Sequence, residues 1–242
     1  MISIEAYLRQ APLLHVYELG DLDPREAPHT QWIANEHAAI LIYRGLATPT
    51  LIALVHGDQA PVHALLTSAP MPARFYAHLS AGLETRLATT HRLELLGHNL
   101  KMGLTAPIAE AFEADALTFF DADEVVAFYH ASYRGAYFEP VNLERGPYSV
   151  IRDAKGIAAI AGVHVYSPAM RVAALGNIAT RPDVRGRGLA RRVTGALCRQ
   201  LQREVDVIGL NVRADNASAI ACYRRLGFTD VADYNEWLVT AR

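Results

Sequence analysis

Three apolar runs of strand length, "YSVIRD" (148–153), "GIAAIAGVHVYS" (156–167) and "RVAALGNIATR" (171–181), follow one another at hairpin spacing and lead into "PDVRGRGLARRVTGALCRQL". This order limits the fold more than any other feature. Strands joined by so few residues pair as antiparallel neighbours. A helix from about 187 to 203 ahead of "VDVIGLNV" (205–212) instead requires a crossover that returns a parallel strand. The second half is therefore predicted to be α/β of the α+β kind, with a mixed, mostly antiparallel sheet flanked by helices.

Upstream, helical spacing at Ile4, Leu8 and Leu14 is divided by Pro12, and "AAILIYRG" (38–45) and "TLIALVHGD" (50–58) read as an antiparallel pair. "APVHALLTS" predicts a short helix. "RFYAHLS", "AGLETRLATTH", "RLELLGHNL" and "KMGLT" (74–105) predict strand, helix, strand, strand. "APIAEAFEADA" reads as a connector, giving domains at 1–115 and 116–242. "ALTFF" then predicts a strand and "DADEVVAFYHASYRGAYF" an acid-capped helix broken near Gly135. A helix from about 217 to 226 and "FTDVADYNEWLVTAR", with one or two closing strands, complete the chain.

With 242 residues, 51% of them hydrophobic, the chain can bury a substantial core. A formal net charge of -2 gives no electrostatic reason to expect nucleic acid or a membrane surface as partner. Cys198 and Cys222 lack metal or redox spacing. His15, His29, His37, His56, His63, His78, His91 and His98 show no zinc-like pairing, so no metal is expected and these histidines read as surface or locally bonded residues. The N-terminus lacks a basic start and an unbroken apolar run, and no later run reaches membrane-spanning length, so a cytoplasmic location is expected.

A strand ending near Thr180, a glycine-rich turn and a helix start make an anion pocket, because unpaired amides and the positive end of the helix dipole converge there. Gly186 and Gly188 keep side chains off that backbone, and Arg185 and Arg187 add charge; the plain alternative is a helix start with solvated arginines. "GRGLAR" departs from a dinucleotide turn at Arg191 and lacks the Lys-Ser/Thr of a triphosphate loop. Dinucleotide-linked oxidoreduction also needs a parallel sheet that this element order does not supply.

Further on, Asn216, Ala219 and Tyr223 fall as N-x-x-A-x-x-x-Y ahead of "LGF" (226–228). Together the two stretches resemble the GNAT acyltransferase superfamily. "RGRGLA" matches its Q/R-x-x-G-x-G/A coenzyme A loop at Arg185, Gly188 and Ala190, and the helix motif follows at the family's distance. The resemblance implies acyl-CoA, most simply acetyl-CoA, with its pyrophosphate on the amides of Arg185, Gly186, Arg187, Gly188, Leu189 and Ala190. It implies a pantetheine arm along Ile178, Ala179 and Thr180, held also by Asn216 beside Ala219, and Tyr223 as the donor to the departing thiolate. For Tyr223 the alternative is a packed tyrosine on an apolar helix face; Asn216 also suits a helix cap.

The acceptor implied is a small-molecule or peptide amine, bound by a lid at Tyr133, Tyr137, Phe138 and Glu139 with Asn177 on the facing strand; an aromatic cluster packing helix on sheet is the alternative for the lid. Many family members carry a glutamate on that strand, where this chain has Gly176 and Asn177. The base is left open among Glu139, His164, Glu236 and an amine of low pKa that needs none. The first half resembles, in element order, the degenerate N-terminal half of tandem GNAT proteins such as the glycine acyltransferase-like group, lacking its own R-x-x-G-x-G loop. An N-acyltransferase acting as monomer or homodimer is expected; a non-catalytic acyl-CoA sensor or scaffold is the alternative.

Overall fold

The computed structural model describes residues 3–133 and 135–242. The chain divides into two compact units, one of Met1–Met102, Val212–Asn216 and Asp230–Arg242, the other of Gly103–Asn211 and Ala217–Thr229.

The first unit begins with two short helices, α1 (Ile4–Leu8) and α2 (Val16–Gly20), then β1 (Thr30–Ala34), β2 (Ala39–Tyr43) and β3 (Thr50–Ala53). Next come α3 (Ala60–Ser68), β4 (Arg74–Leu79), the single turn α4 (Glu84–Leu87) and most of β5 (His91–Leu104). Its strands lie in the order β1, β2, β3, β4, β11 and β5, where β11 is Phe228–Ala241. β1 with β2, β2 with β3 and β4 with β11 pair antiparallel, while β3 and β4 run parallel from Thr50↔Tyr76 to Ala53↔Leu79 with α3 as crossover. "AILI" and "TLIA" are buried along their whole length, as expected of strands covered on both faces, whereas β4 buries only Phe75, Ala77 and Leu79 at period two. His15 is 1% exposed and locally bonded, with Nδ1 3.0 Å from Glu18 Oε1 and Nε2 3.0 Å from His56 Nδ1.

The second unit holds β6 (Asp115–Ala116), α5 (Ala122–Ser132), α6 (Asn142–Arg145), β7 (Ser149–Asp153), β8 (Gly156–Ser167), β9 (Val172–Thr180) and α7 (Leu189–Leu201). β10 (Val207–Arg213) and α8 (Ala217–Arg225) follow. Strand order is β10, β9, β8, β7, β6, antiparallel except for β9 with β10, so the predicted mixed, mostly antiparallel sheet flanked by helices is present. α7 is the predicted crossover, turning Val193, Leu197, Cys198 and Leu201 inward at helical spacing and keeping its arginines outside.

Three elements differ from expectation. "RLELLGHNL" (92–100) and "KMGLT" (101–105), predicted as two strands, fall in the single strand β5, which runs on through Leu100 and Lys101; at Gly97 a Cβ would stand 2.8 Å from the Arg213 guanidinium. "ALTFF" contributes only Asp115–Ala116 to a ladder, because the Asp121 carboxylate accepts from the Thr118 amide (2.8 Å) and closes a 3₁₀ turn at Phe119–Asp121. β1 has no forecast at all, its half-buried "TQWIA" lacking a clear apolar run.

Gly162 and Gly176 face each other across β8 and β9, and each is roofed by a ring. A Cβ at Gly162 would lie 2.0 Å from the fully buried Tyr148 ring. Gly162→Ala is therefore expected to destabilise the protein by about 1–3 kcal/mol through overpacking, measured as a lower urea midpoint at unchanged slope.

Candidate functional site

β9 pairs with β10 over only four positions, Val172↔Val207 to Leu175↔Leu210, while its far half stays on β8 through Gly176↔Gly162, Ala179↔Ile160 and Thr180↔Ala159. Beyond Leu175 the parallel ladder stops. Thr180 then leads through a 3₁₀ turn, Pro182–Val184, to Gly186 and Gly188, both in the left-handed region at φ 77 and 76. Such dihedrals favour glycine, and at both positions nothing lies within 4 Å of a built Cβ, so the loop faces open space. Gly188 caps α7 without any side-chain hydrogen bond. The N–H groups of Gly186, Arg187, Gly188, Leu189 and Ala190 have no acceptor among the described residues. Consecutive unpaired amides at the positive end of a thirteen-residue helix suit a diphosphate by charge and geometry.

The arginines of this stretch have separate tasks. Arg181 reaches Asp153 (2.5 Å) and Asp183 (2.6 Å) and donates to the Ile157 carbonyl, fixing where β9 ends. Arg185 bridges the carbonyls of Thr180 (3.2 Å) and Ser132 (3.4 Å), tying the loop to the end of α5. Arg191 pairs with Glu110 and lies over the Phe112 ring, which itself packs on Gly195 of α7. The anchors on Asp153, Ser132 and Glu110 have no signature in the motif, because those partners stand tens of residues away.

Tyr223 is 8% exposed on α8, its ring centroid 5.9 Å from that of Phe228. α8 closes at Gly227 (φ 94), whose carbonyl accepts from the Thr105 amide (3.3 Å). Ala219 lies on the same helix. Asn216, which precedes it, belongs to the segment counted with the first unit, and its N–H donates to the Arg213 carbonyl (3.0 Å).

Asn177 is buried and in the left-handed region (φ 55), inside a β9 bulge that leaves Asn177 and Ile178 opposite the single residue Ala161. Its Nδ2 donates to the Tyr137 carbonyl (2.7 Å) and the Tyr148 hydroxyl (3.1 Å), and its own carbonyl accepts from Tyr129 (2.6 Å). Burial raises the pKa of Tyr148 to about 12 and that of Tyr129 further, so both phenols stay neutral. The predicted lid divides: Phe138 packs on the Tyr129 and Tyr148 rings, whereas Tyr133, Tyr137 and Glu139 are exposed.

Of the residues weighed as bases, Glu236 lies in the first unit, 3.8 Å from His78, and its carboxyl is held below the usual range first by a His78 hydrogen bond. Glu139 sits on the exposed loop. His164 packs over Gly176.

Arg181, and then Lys155, push the Asp183 pKa down to about 2. A depressed carboxyl stabilises the fold above its unfolded pKa, and that contribution fades as pH falls through the folded value. Arg181→Gln should return the Asp183 titration toward about 3.9, read by carbonyl NMR.

Residues 158–238 match the family model of FR47-like proteins. Over 71 residues the chain is 42% identical to the ribosomal protein bS18-alanine N-acetyltransferase of Salmonella typhimurium, a match covering 29% of this chain and 48% of that one. It thus spans about half the length of that curated relative. A GNAT-family structure from Novosphingobium aromaticivorans aligns at TM-score 0.66 and 21% identity, covering 96% of this chain and 99% of the other. A tandem GNAT protein from the clavulanic acid biosynthesis pathway aligns at TM-score 0.56 and 18% identity, covering 94% and 88%. Among the described residues no helix is long and apolar enough to cross a membrane.

Proposed function

We propose that the chain is a member of the GNAT superfamily, whose FR47-like model it matches over residues 158–238, and an N-acyltransferase, moving an acetyl group from acetyl-CoA to a primary amine by direct attack in a ternary complex. The observation that carries the reading is the row of unpaired amides from Gly186 to Ala190 in front of α7, facing open space. A diphosphate bound there would align the arm of the donor with the half of β9 that leaves the β10 ladder, at Ile178 and Thr180. Residues 1–115 are proposed as a degenerate GNAT-like half. In the first unit, β3, α3 and β4 repeat the β-α-β order of β9, α7 and β10, but the α3 start is closed to anions. There Asp58 accepts from the Ala60 amide (3.0 Å), and Pro61 has no N–H.

The acceptor amine must attack as the neutral form. A lysine-type amine near pKa 10.4 costs about 4.6 kcal/mol to deprotonate at pH 7, an α-amine near 7.8 about 1 kcal/mol. The relative named for an alanine of bS18 favours an α-amine, that is, a peptide terminus or amino acid. As the N–C bond forms and the C–S bond breaks, Tyr223 donates to the leaving sulfur. Expelling a thiolate of pKa about 8.5 unaided costs only about 2 kcal/mol at pH 7, so the phenol's help is moderate.

Incubation with acetyl-CoA and a pool of amines and peptides should release free thiol only when an acceptor is present, with one CoA bound per chain in calorimetry. Absence of CoA affinity in folded protein overturns the reading; binding without thiol release favours a sensor. Tyr223→Phe is expected to slow kcat about 10-fold to 100-fold with little change in the Kd for CoA.

A further inference from the structure

We propose that His164 accepts the proton of the incoming amine, standing where this chain lacks a strand carboxylate; the assignment rests on the acyltransferase reading above. β8 carries one extra residue between Val163, paired with Leu175, and Val165, paired with Ala174. That residue is His164, and a bulge of this kind re-aims a side chain out of the regular alternation. Its ring crosses to β9 and fills the place where a side chain of residue 176 would begin. A Cβ on Gly176 would meet Cδ2 at 2.2 Å and Nε2 at 2.3 Å. The missing side chain on β9 and the surplus side chain on β8 thus compensate each other at one point of the sheet.

His164 is exposed at the bulge, so a proton taken there can pass to water. Burial lowers its pKa against an opposing hydrogen bond with Asn177, so the imidazole is in its neutral, proton-accepting form at pH 7. The titratable groups bonded to Asn177 from the neighbouring elements, Tyr129 on α5 and Tyr148 ahead of β7, are uncharged phenols. Asn177 also holds the Tyr137 carbonyl, so the base and the exposed lid are referred to one side chain.

The step balances without a further reactant. R-NH3+ gives its proton to the neutral imidazole, directly or through one water, and the free amine forms the N–C bond while the C–S bond breaks. Tyr223 protonates the sulfur, the second amine proton leaves the nitrogen as the amide forms and restores the phenol through water, and the imidazolium releases its proton to solvent, so that R-NH3+ and acetyl-CoA give the amide, CoA-SH and one H+.

The test compares wild type, H164Q and H164A by thiol release with acetyl-CoA and two acceptors of equal bulk, one lysine-like and one of low pKa, with calorimetry of CoA binding as the check on folding. With the lysine-like acceptor, H164Q should lower kcat about 100-fold or more, leave the KM for acetyl-CoA within about twofold and remove the rising limb of the pH profile. The loss should shrink to under about tenfold with the low-pKa amine, and added imidazole should restore part of the H164A rate. Wild-type rates in H164Q, or an equal loss with both amines and no imidazole rescue, overturn the assignment alone. A wild-type protein that binds CoA but releases no thiol with any amine overturns the acyltransferase reading, and this assignment with it.

Discussion

The hydrogen bonds of one buried amide hold the candidate site together. Asn177 has a backbone conformation that costs energy for any residue with a side chain, and it is kept there by three protein partners: the Tyr137 carbonyl, the Tyr148 hydroxyl and, through its own carbonyl, Tyr129. These bonds join the loop at Tyr137, the lead into β7 and helix α5 to a single point on β9. The bulge they stabilise lies just past Leu175, where the strand leaves its parallel neighbour. Opening of the sheet and placement of the loop at Tyr137 are therefore one constraint.

Such an arrangement is only partly legible in a sequence. Periodicity and turn chemistry are local, and they were enough for β7, β8, β9, α7 and α8, whose apolar spacing and glycine stops are strong. The glycine-rich loop ahead of α7 is equally legible, because Gly186 and Gly188 meet a backbone requirement that the neighbouring residues themselves set. What local reading misses is geometry set from a distance. The break read between Leu100 and Lys101 is absent because β5 continues through both, and Phe119 and Phe120 resemble a strand until Asp121 draws the chain into a helical turn. His164 is similar: nothing in "GVHVYS" announces a bulge, because the register shift depends on how β8 and β9 pair. Asn177 suggests a ligand contact by its place in the strand, yet its amide donors are spent on protein groups.

The arginines teach the same lesson from the other side. A cluster of positive charge beside a phosphate loop invites assignment of every guanidinium to the ligand. Arg181, Arg185 and Arg191 instead anchor the loop through carboxylates and carbonyls supplied by β7, β9, α5 and the 110–112 segment. An anion on the loop would then meet main-chain dipoles, held ready before any ligand arrives, beside the exposed Arg187. That economy fits a chain whose overall charge is close to zero.

The contrast between the helix starts of α3 and α7 has a bearing on stoichiometry. Both follow the same strand-to-helix order, but one terminus is already occupied by an internal carboxylate and a proline, whereas the other presents bare amides. On the tandem reading proposed above, duplication of the architecture has not duplicated the receptor. Saturation by a nucleotide thioester should trace a simple hyperbola, and any sigmoid response would have to originate between molecules instead of between the halves of one.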